Sequence, residues 1–351
     1  MARLIVIIGV LGLALLVIPG CSEKKPAKFP RISTDFEKLG APVGALALSG
    51  NGKWLAVGAD RVFFSGQETG FTIELEEDAR VVGLGFGSRD RFVVCAHLSS
   101  EANHRITAWD IGRGDGSRMA SLPIPREKWI NQMAVSPDGS RAAVSLSTGE
   151  VLILSVPTLE QSGSLRLCTA NGNKDFESWI AFLGNPHRLV SGGSDRAVHV
   201  WDVDRRTPIV SRTNFSGPVC ALAVSADYSM IAIAIDVHTG NSEALTRVIL
   251  LDSSTLKPIR KIGTITDHIF ALCFSPDGRE LAVGCTLPQP VGIYDVKKGR
   301  SIQGMWSTGI MGLRTLGDGV EALQYSVGGR VLITGSSDGY LVFYDRDEYR
   351  E

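Results

Sequence analysis

Ser337 sits in Gly335-Ser336-Ser337-Asp338-Gly339, a G-x-S-x-G spacing that elsewhere exposes a nucleophile on a sharp strand-to-helix elbow. Here both flanks are β-type runs and no helical period follows, so the elbow geometry is missing and acyl transfer is rejected. The histidines, His97, His104, His187, His199, His238 and His268, form no close metal pair, and no H-E-x-x-H occurs. P-loop, EF-hand and dinucleotide fingerprints are absent as well. Cys95, Cys220, Cys273 and Cys285 fall inside apolar runs without C-x-x-C spacing, which reads as small buried hydrophobes; neither they nor Cys168 define a disulfide pair. The sequence therefore assigns no catalytic residue, no metal and no cofactor.

Charge excludes another class. With 36 basic and 37 acidic side chains the formal net charge is -1, which gives no reason to expect nucleic acid or a general anionic-membrane surface as partner. The N-terminus is a separate matter. Arg3 precedes the uninterrupted apolar run Leu4–Ile18, of signal-peptide length and short for a spanning helix. Ile18-Pro19-Gly20-Cys21 resembles the lipobox of bacterial lipoproteins, with Pro19 where a small or aliphatic residue is usual. The resemblance implies a lipidated (palmitate-type) Cys21 after a signal peptide over 1–20. With Ser22 in place of Asp it also implies export to the outer membrane, facing the periplasm. An uncleaved signal anchor is the alternative. Residues 21–29 are polar and Pro-containing, as a flexible tether should be, and lead into a domain over 30–351.

That domain is built from a phrase used seven times. An apolar run, a tight turn and a second run open each unit: VGALALSGNGK from Val43, VVGLGFGSRDR from Val81, INQMAVSPDGS from Ile130, SWIAFLGNPHR from Ser178, VCALAVSADYS from Val219, IFALCFSPDGR from Ile269 and VEALQYSVGGR from Val320. Pro fixes φ and Gly permits φ > 0 in such turns. A third run closes each unit, as in Arg105–Asp110, Ala197–Asp202 and Tyr340–Asp345. Small residues mixed with aliphatics suggest strands buried on both faces, as when radial sheets pack face to face. The fourth strands are weaker; the segments TIEL, MASLPI, SGSLRL, IVSRT, PIRKI and IQGMW are the candidates.

The units resemble the WD40 family of β-propellers over nearly all of Val43–Asp345. Trp109-Asp110 and Trp201-Asp202 are the family's WD dipeptide, and Tyr294-Asp295 and Tyr344-Asp345 keep an aromatic there. Asp195 and Asp338 occupy the turn where the family's Asp meets a His, and His268 stands where its Gly-His would be. The resemblance implies an all-β, seven-bladed propeller of four-stranded antiparallel blades, monomeric. The last unit lacks a good fourth strand, so Pro30–Phe36 is expected to pair there and close the ring.

Function is sought in the loops. First-to-second turns are short and nearly constant, whereas second-to-third loops and links between units vary widely, and in a propeller those two sets share one face. Arg126, Trp129, Trp306 and Arg314 are exposed partner-binding candidates there, and His97, His104 and His238 fall in the same loops. Trp179, inside an apolar run, is expected to be buried. This favours a non-enzymatic scaffold for an unidentified protein or peptide. The alternative is a propeller enzyme, quinoprotein or metal-dependent lactonase. Asp295–Gly299 followed by Trp306 approaches the quinoprotein phrase D-x-x-T-G-K-x-x-W with the wrong spacing, and no lactonase-type ligand set can be read.

Overall fold

The computed structural model describes residue 39 and residues 41–346, apart from 67–69, 76–78, 101–102, 113–115, 168–175, 238–244, 266–267, 287–290 and 303–318. Seven antiparallel sheets follow one another along the chain, six with four described strands and the last with three. We number them as blades one to seven. Their innermost strands are Ala45–Leu48, Arg80–Phe86, Ile130–Val135, Ser178–Phe182, Val219–Val224, Ile269–Phe274 and Val320–Tyr325. The only helical element among the described residues is a single 3-10 turn, Ser88–Asp90. Of the outer strands, the first is Gly70–Ile73, shifted two residues ahead of the TIEL expectation; the sixth is described at Arg300–Ser301, and IQGMW after its first residue lies outside the described residues.

The recurrent turn has a side-chain cause. In S-P-D-G and its variants the serine hydroxyl donates to the acid two residues on and accepts the N–H that opens the next strand. Ser136 Oγ donates to Asp138 Oδ1 (2.7 Å) and accepts from Arg141 N (3.0 Å); Ser225–Asp227–Met230 and Ser275–Asp277–Glu280 repeat both bonds. These local bonds fix the hairpin without help from its length. Neighbouring turns also touch. Gly50 N and Asn51 N donate to the Asp90 carboxylate (2.7 and 3.0 Å), and Ser88 N donates to the Gly139 carbonyl (3.1 Å). A longer turn would collide with the next blade, which accounts for the constant length seen in sequence.

Blade seven packs directly on blade one. Val43, Leu55 and Val57 share a cluster with Val331, Ile333, Leu341 and Phe343. Leu39 N donates to Gly339 O (3.2 Å) and Val43 N to Ser336 O (3.0 Å), so the chain reaches blade one from the last blade. The closing strand expected from Pro30–Phe36 lies outside the described residues, as do Cys21 and the segment before it. On the opposite face Arg346, just past the last strand, is buried against blade six, pairing with Asp277 (2.9 Å) and with Glu280 (3.0 Å), whose side chain is 1 % exposed. Arg346→Ala would remove the cation that pairs with the buried Glu280, leaving it the Tyr325 hydroxyl (3.4 Å), and we expect a loss of about 3 kcal/mol in equilibrium urea unfolding; an unchanged midpoint would show that the seam ion pairs do not stabilise the ring.

The turn carboxylates make stability pH-dependent. The Ser225 hydroxyl, then the Ser229 N–H and hydroxyl, hold Asp227 below the ordinary carboxylate range. At Asp138 and Asp277 burial pushes upward but is outweighed by the hydrogen bonds of Ser136 and Ser275 and their neighbours. Lowered folded-state values mean stability that is complete above about pH 4 and lost as pH falls through those values. Urea midpoints should therefore fall from pH 5 to pH 3, less steeply in Asp227→Asn than in the parent; equal slopes would show that these turns are not the cause.

Candidate functional site

Each blade opens with the same three-residue step, and its second residue differs in every blade: Gly44, Val82, Asn131, Trp179, Cys220, Phe270 and Glu321. In five of the seven blades that residue is a β-bulge. Pairing jumps from Val81 to Gly83, from Ile130 to Gln132, from Val219 to Ala221, from Ile269 to Ala271 and from Val320 to Ala322, so the residue between has no partner on the second strand. Bulges re-aim side chains. All of the seven except Cys220 line one cavity of about 590 Å³ along the propeller axis, which is bounded by first strands from all seven blades.

The cavity mouth is partly fixed by polar bonds between blades. Arg80 of blade two reaches over Gly44 to Glu321 of blade seven (2.7 Å), and a Cβ at Gly44 would lie 2.2 Å from the Val81 carbonyl oxygen. Across the mouth, Asn131 Nδ2 donates to Phe176 O (2.7 Å) and Gln132 Oε1 accepts from Ile180 N (2.7 Å). Phe270 is 45 % exposed and Trp179 half-buried, the latter turned to the channel rather than buried as expected. Burial, then the charges of Asp236 and Glu177, push the Cys220 thiol up to about 12. Burial pushes Cys273 up to about 11 and Cys95 higher still, which keeps these thiols protonated at neutral pH.

A second feature sits on the rim between blades two and three. Trp129 is 54 % exposed, yet its backbone is pinned by Ser147: Trp129 N donates to Ser147 Oγ (3.1 Å) and Ser147 N to Trp129 O (2.8 Å). Its ring tilts against His104 (centroids 5.1 Å apart), and Arg126 is exposed in the same loop. His104 and His97 are each 1 % exposed, which corrects their assignment as partner-binding residues. The apolar sheet packing on either side draws them inward, and His104 supports Trp129 from beneath. Ser99 N donates to His104 Nδ1 (3.2 Å), which requires the neutral ring with its proton on Nε2. His238, Trp306 and Arg314 lie outside the described residues.

The family-type residues make local contacts that depart in places from the family pattern. Trp201 Nε1 donates to Ser191 Oγ on the second strand (2.9 Å), but Trp109 Nε1 turns to Thr107 on its own strand (3.0 Å). Asp110 is clamped by Arg91 (2.6 Å), Asp202 accepts from Arg205 N (2.8 Å), and Asp338 accepts from the Ser336 hydroxyl. Asp195 accepts from Ala197 N (3.1 Å) and stands 3.7 Å from His199 Nε2, a half-buried ring rather than a core one. His268 is exposed and so does not fill the family's buried histidine position. Burial raises the hydroxyl pKa of Tyr294 to about 12 and that of Tyr344 further. No group of three or more potential metal ligands occurs among the described residues.

Comparison with known proteins agrees with this geometry. Residues 168–202, 259–286 and 313–345 match the family model described as WD domain, G-beta repeat. The chain matches the WD40 repeat in those three segments. It is 28 % identical over 158 residues to the U3 small nucleolar RNA-associated protein 18 homolog of Mus musculus, covering 45 % of this chain and 27 % of the relative. Identity to U3 small nucleolar RNA-associated protein 21 of Saccharomyces cerevisiae is 24 % over 203 residues (58 % and 19 %), and to cell division cycle 20.1, cofactor of APC complex, of Arabidopsis thaliana 24 % over 188 residues (51 % and 37 %). The chain thus spans well under half the length of these relatives. A chain in the crystal structure of a mitotic checkpoint complex superposes with a TM-score of 0.65 at 16 % identity, over 93 % of this chain and 98 % of that one, and so shares the propeller fold.

Asn131, Phe270 and Glu321 carry no motif and stand out only by position, and Arg80 lies just ahead of its phrase. Their signal was present: among seven aligned phrases the second position alone runs from glycine to tryptophan to glutamate. One expectation follows for the rim. Burial lowers the His104 pKa, partly offset by the Arg126 carbonyl and reinforced by the Arg126 charge. A lowered folded value means stability present above about pH 6.5 and lost as pH falls through it. NMR of the imidazole should show His104 titrating below about 6.5; a titration at or above that value would contradict the buried, neutral ring.

Proposed function

We propose that this chain is a non-enzymatic scaffold that binds a protein or peptide through the loop-rich face of its propeller, held at the cell envelope by lipid on Cys21. The observation that carries the binding reading is the pairing of a constant ring with a variable mouth. The seams and turns repeat from blade to blade, while the second position of each first strand, which lines the channel in six blades, changes its chemistry throughout, and Trp129 stands exposed on the rim. A rigid frame holding aromatic side chains in place loses little entropy on binding, and exposed Trp and Arg carry interface energy disproportionately. WD40 propellers are protein-interaction scaffolds, and the relatives named above include a cofactor of the APC complex and U3 small nucleolar RNA-associated proteins. The even charge balance of this chain favours protein over RNA as its direct ligand.

The anchor rests on Leu4–Ile18 and Cys21, and the outer membrane, facing the periplasm, on Ser22. Cell fractionation tests it: the parent chain is expected in the membrane pellet and Cys21→Ala in the soluble fraction, and equal partition of the two would rule out the lipid. The scaffold reading is tested by pull-down from membranes. A stoichiometric partner should be recovered with the parent chain and lost from Trp129→Ala/Arg126→Ala, whose melting should stay within a few degrees of the parent because both side chains are exposed. Retention of the partner by that variant would move the interface off the rim.

A further inference from the structure

We propose that a cluster of cations on the outer edge of blades five and six rests on anionic phospholipid headgroups, which turns the constant-turn face of the propeller to the bilayer and the loop-rich face away from it. This rests on the anchor at Cys21 and names the surface that the anchored domain meets.

The fourth strand of blade five, Pro258–Ile265, and the third-to-fourth turn of blade six, residues 295–300, pack together. A Cβ at Gly299 would lie 2.8 Å from Arg260 Cδ and 2.9 Å from the Lys261 carbonyl oxygen, so the turn lies directly on that strand. The two segments carry Arg260, Lys261, Lys297, Lys298 and Arg300 against one acid, Asp295. All five cations are exposed. Asp295 is taken up within its own turn, where it accepts from Lys298 N (2.6 Å) and stands 3.7 Å from Lys298 Nζ. The other four cations make no ion pair among the described residues. A formal net charge of -1 for the whole chain averages this cluster away. Val296 N donates to the Arg279 carbonyl in the first-to-second turn (2.9 Å), which sets the cluster at the constant-turn face.

Lysine and arginine on an outer strand guard its edge against pairing with another chain, and that accounts for Arg260 and Lys261. It does not account for Lys297 and Lys298, which lie in a turn with no edge to guard. Gathered like charges repel one another, and an anionic surface turns that repulsion into attraction. Ile259, next to Arg260 in the chain, is 48 % exposed. A headgroup layer suits this mixture: phosphates take the cations, and the aliphatic side chain reaches the acyl boundary. A nucleic-acid backbone would match the charge but leave Ile259 in water. Reach is sufficient as well. Fully extended, the chain between Cys21 and Leu39 spans about 60 Å, against a diameter of about 50 Å for a domain of this size. Lipid together with a basic patch also holds a protein to a bilayer more firmly than one acyl chain does.

Vesicle co-sedimentation of the full chain as Cys21→Ala, which carries no lipid, supplies the test. Binding to phosphatidylcholine vesicles that contain phosphatidylglycerol is expected to exceed binding to phosphatidylcholine alone, and to fall as salt is raised. Lys297→Gln/Lys298→Gln should bind the anionic vesicles about tenfold more weakly. Arg260→Gln/Lys261→Gln gives a second reading from blade five. Melting midpoints of both variants should match the parent, since all four side chains are exposed. Ile259→Ser should weaken vesicle binding too, whereas an RNA oligonucleotide would not register the change. Equal binding to the two kinds of vesicle, or no loss in either charge variant, overturns the inference. So does RNA binding that exceeds vesicle binding and ignores Ile259→Ser. None of these outcomes bears on the anchor, which fractionation of the parent chain and Cys21→Ala decides separately.

Discussion

Everything in this propeller depends on one steric constraint: where the second strand of a blade meets the first strand of the next, there is space for almost no side chain. The residue at that point is Gly58, Ala96, Ser145, Gly192, Ala234, Gly284 and Gly335 in successive blades. A Cβ on Gly58 would lie 2.3 Å from Val81 Cγ1, and one on Gly335 would lie 2.4 Å from Val43 Cγ1. Where serine replaces glycine, its hydroxyl donates to the Ser178 carbonyl of the next blade (3.2 Å). Ala96 and Ala234 share buried clusters with Ile130 and Ile269, the corresponding residues of the blades that follow. The relation between Gly335 and Val43 is the same one, between the last blade and the first, and it is what makes the array a circle.

A frame set by such close contacts leaves little freedom except at its two open faces. On one, the serine–acid turns of neighbouring blades touch and are held to a common length. On the other, the second residue of each first strand is released from pairing by a bulge in five blades and takes whatever chemistry the channel mouth requires. Repetition and variation are thus assigned to different faces by geometry. A binding surface on the variable face leaves the apolar seams intact, although Glu321 and Asn131 also carry bonds between blades there.

Blade number, strand order and turn chemistry were legible in the sequence because each is local and repeated seven times. The small–aliphatic second runs, LAVG from Leu55 and again from Leu281, already carried the seam. The first outer strand was misplaced, at Gly70–Ile73 rather than TIEL, because only one of its residues is fully buried and so it carries a weaker pattern. The site was harder to read. Trp129 and Arg126 were found as residue types suited to an interface, but His97 and His104 were placed in a loop, whereas they belong to the strands Phe92–Leu98 and His104–Asp110 and are buried there. Trp179 erred in the other direction: an apolar run predicts burial, and only the ring places its side chain against the channel. Arg80 with Glu321, 241 positions apart, became a pair only when the circle closed.

The closed circle is tested most directly by equilibrium urea unfolding of Gly335→Val, alone and combined with Val43→Gly. If the last blade packs on the first as described, the single change loses about 1–3 kcal/mol from overpacking, and the added Val43→Gly recovers part of that loss by opening space across the seam. A Gly335→Val chain that unfolds at the parent midpoint, or a double variant whose losses simply add, would contradict a ring closed at this contact.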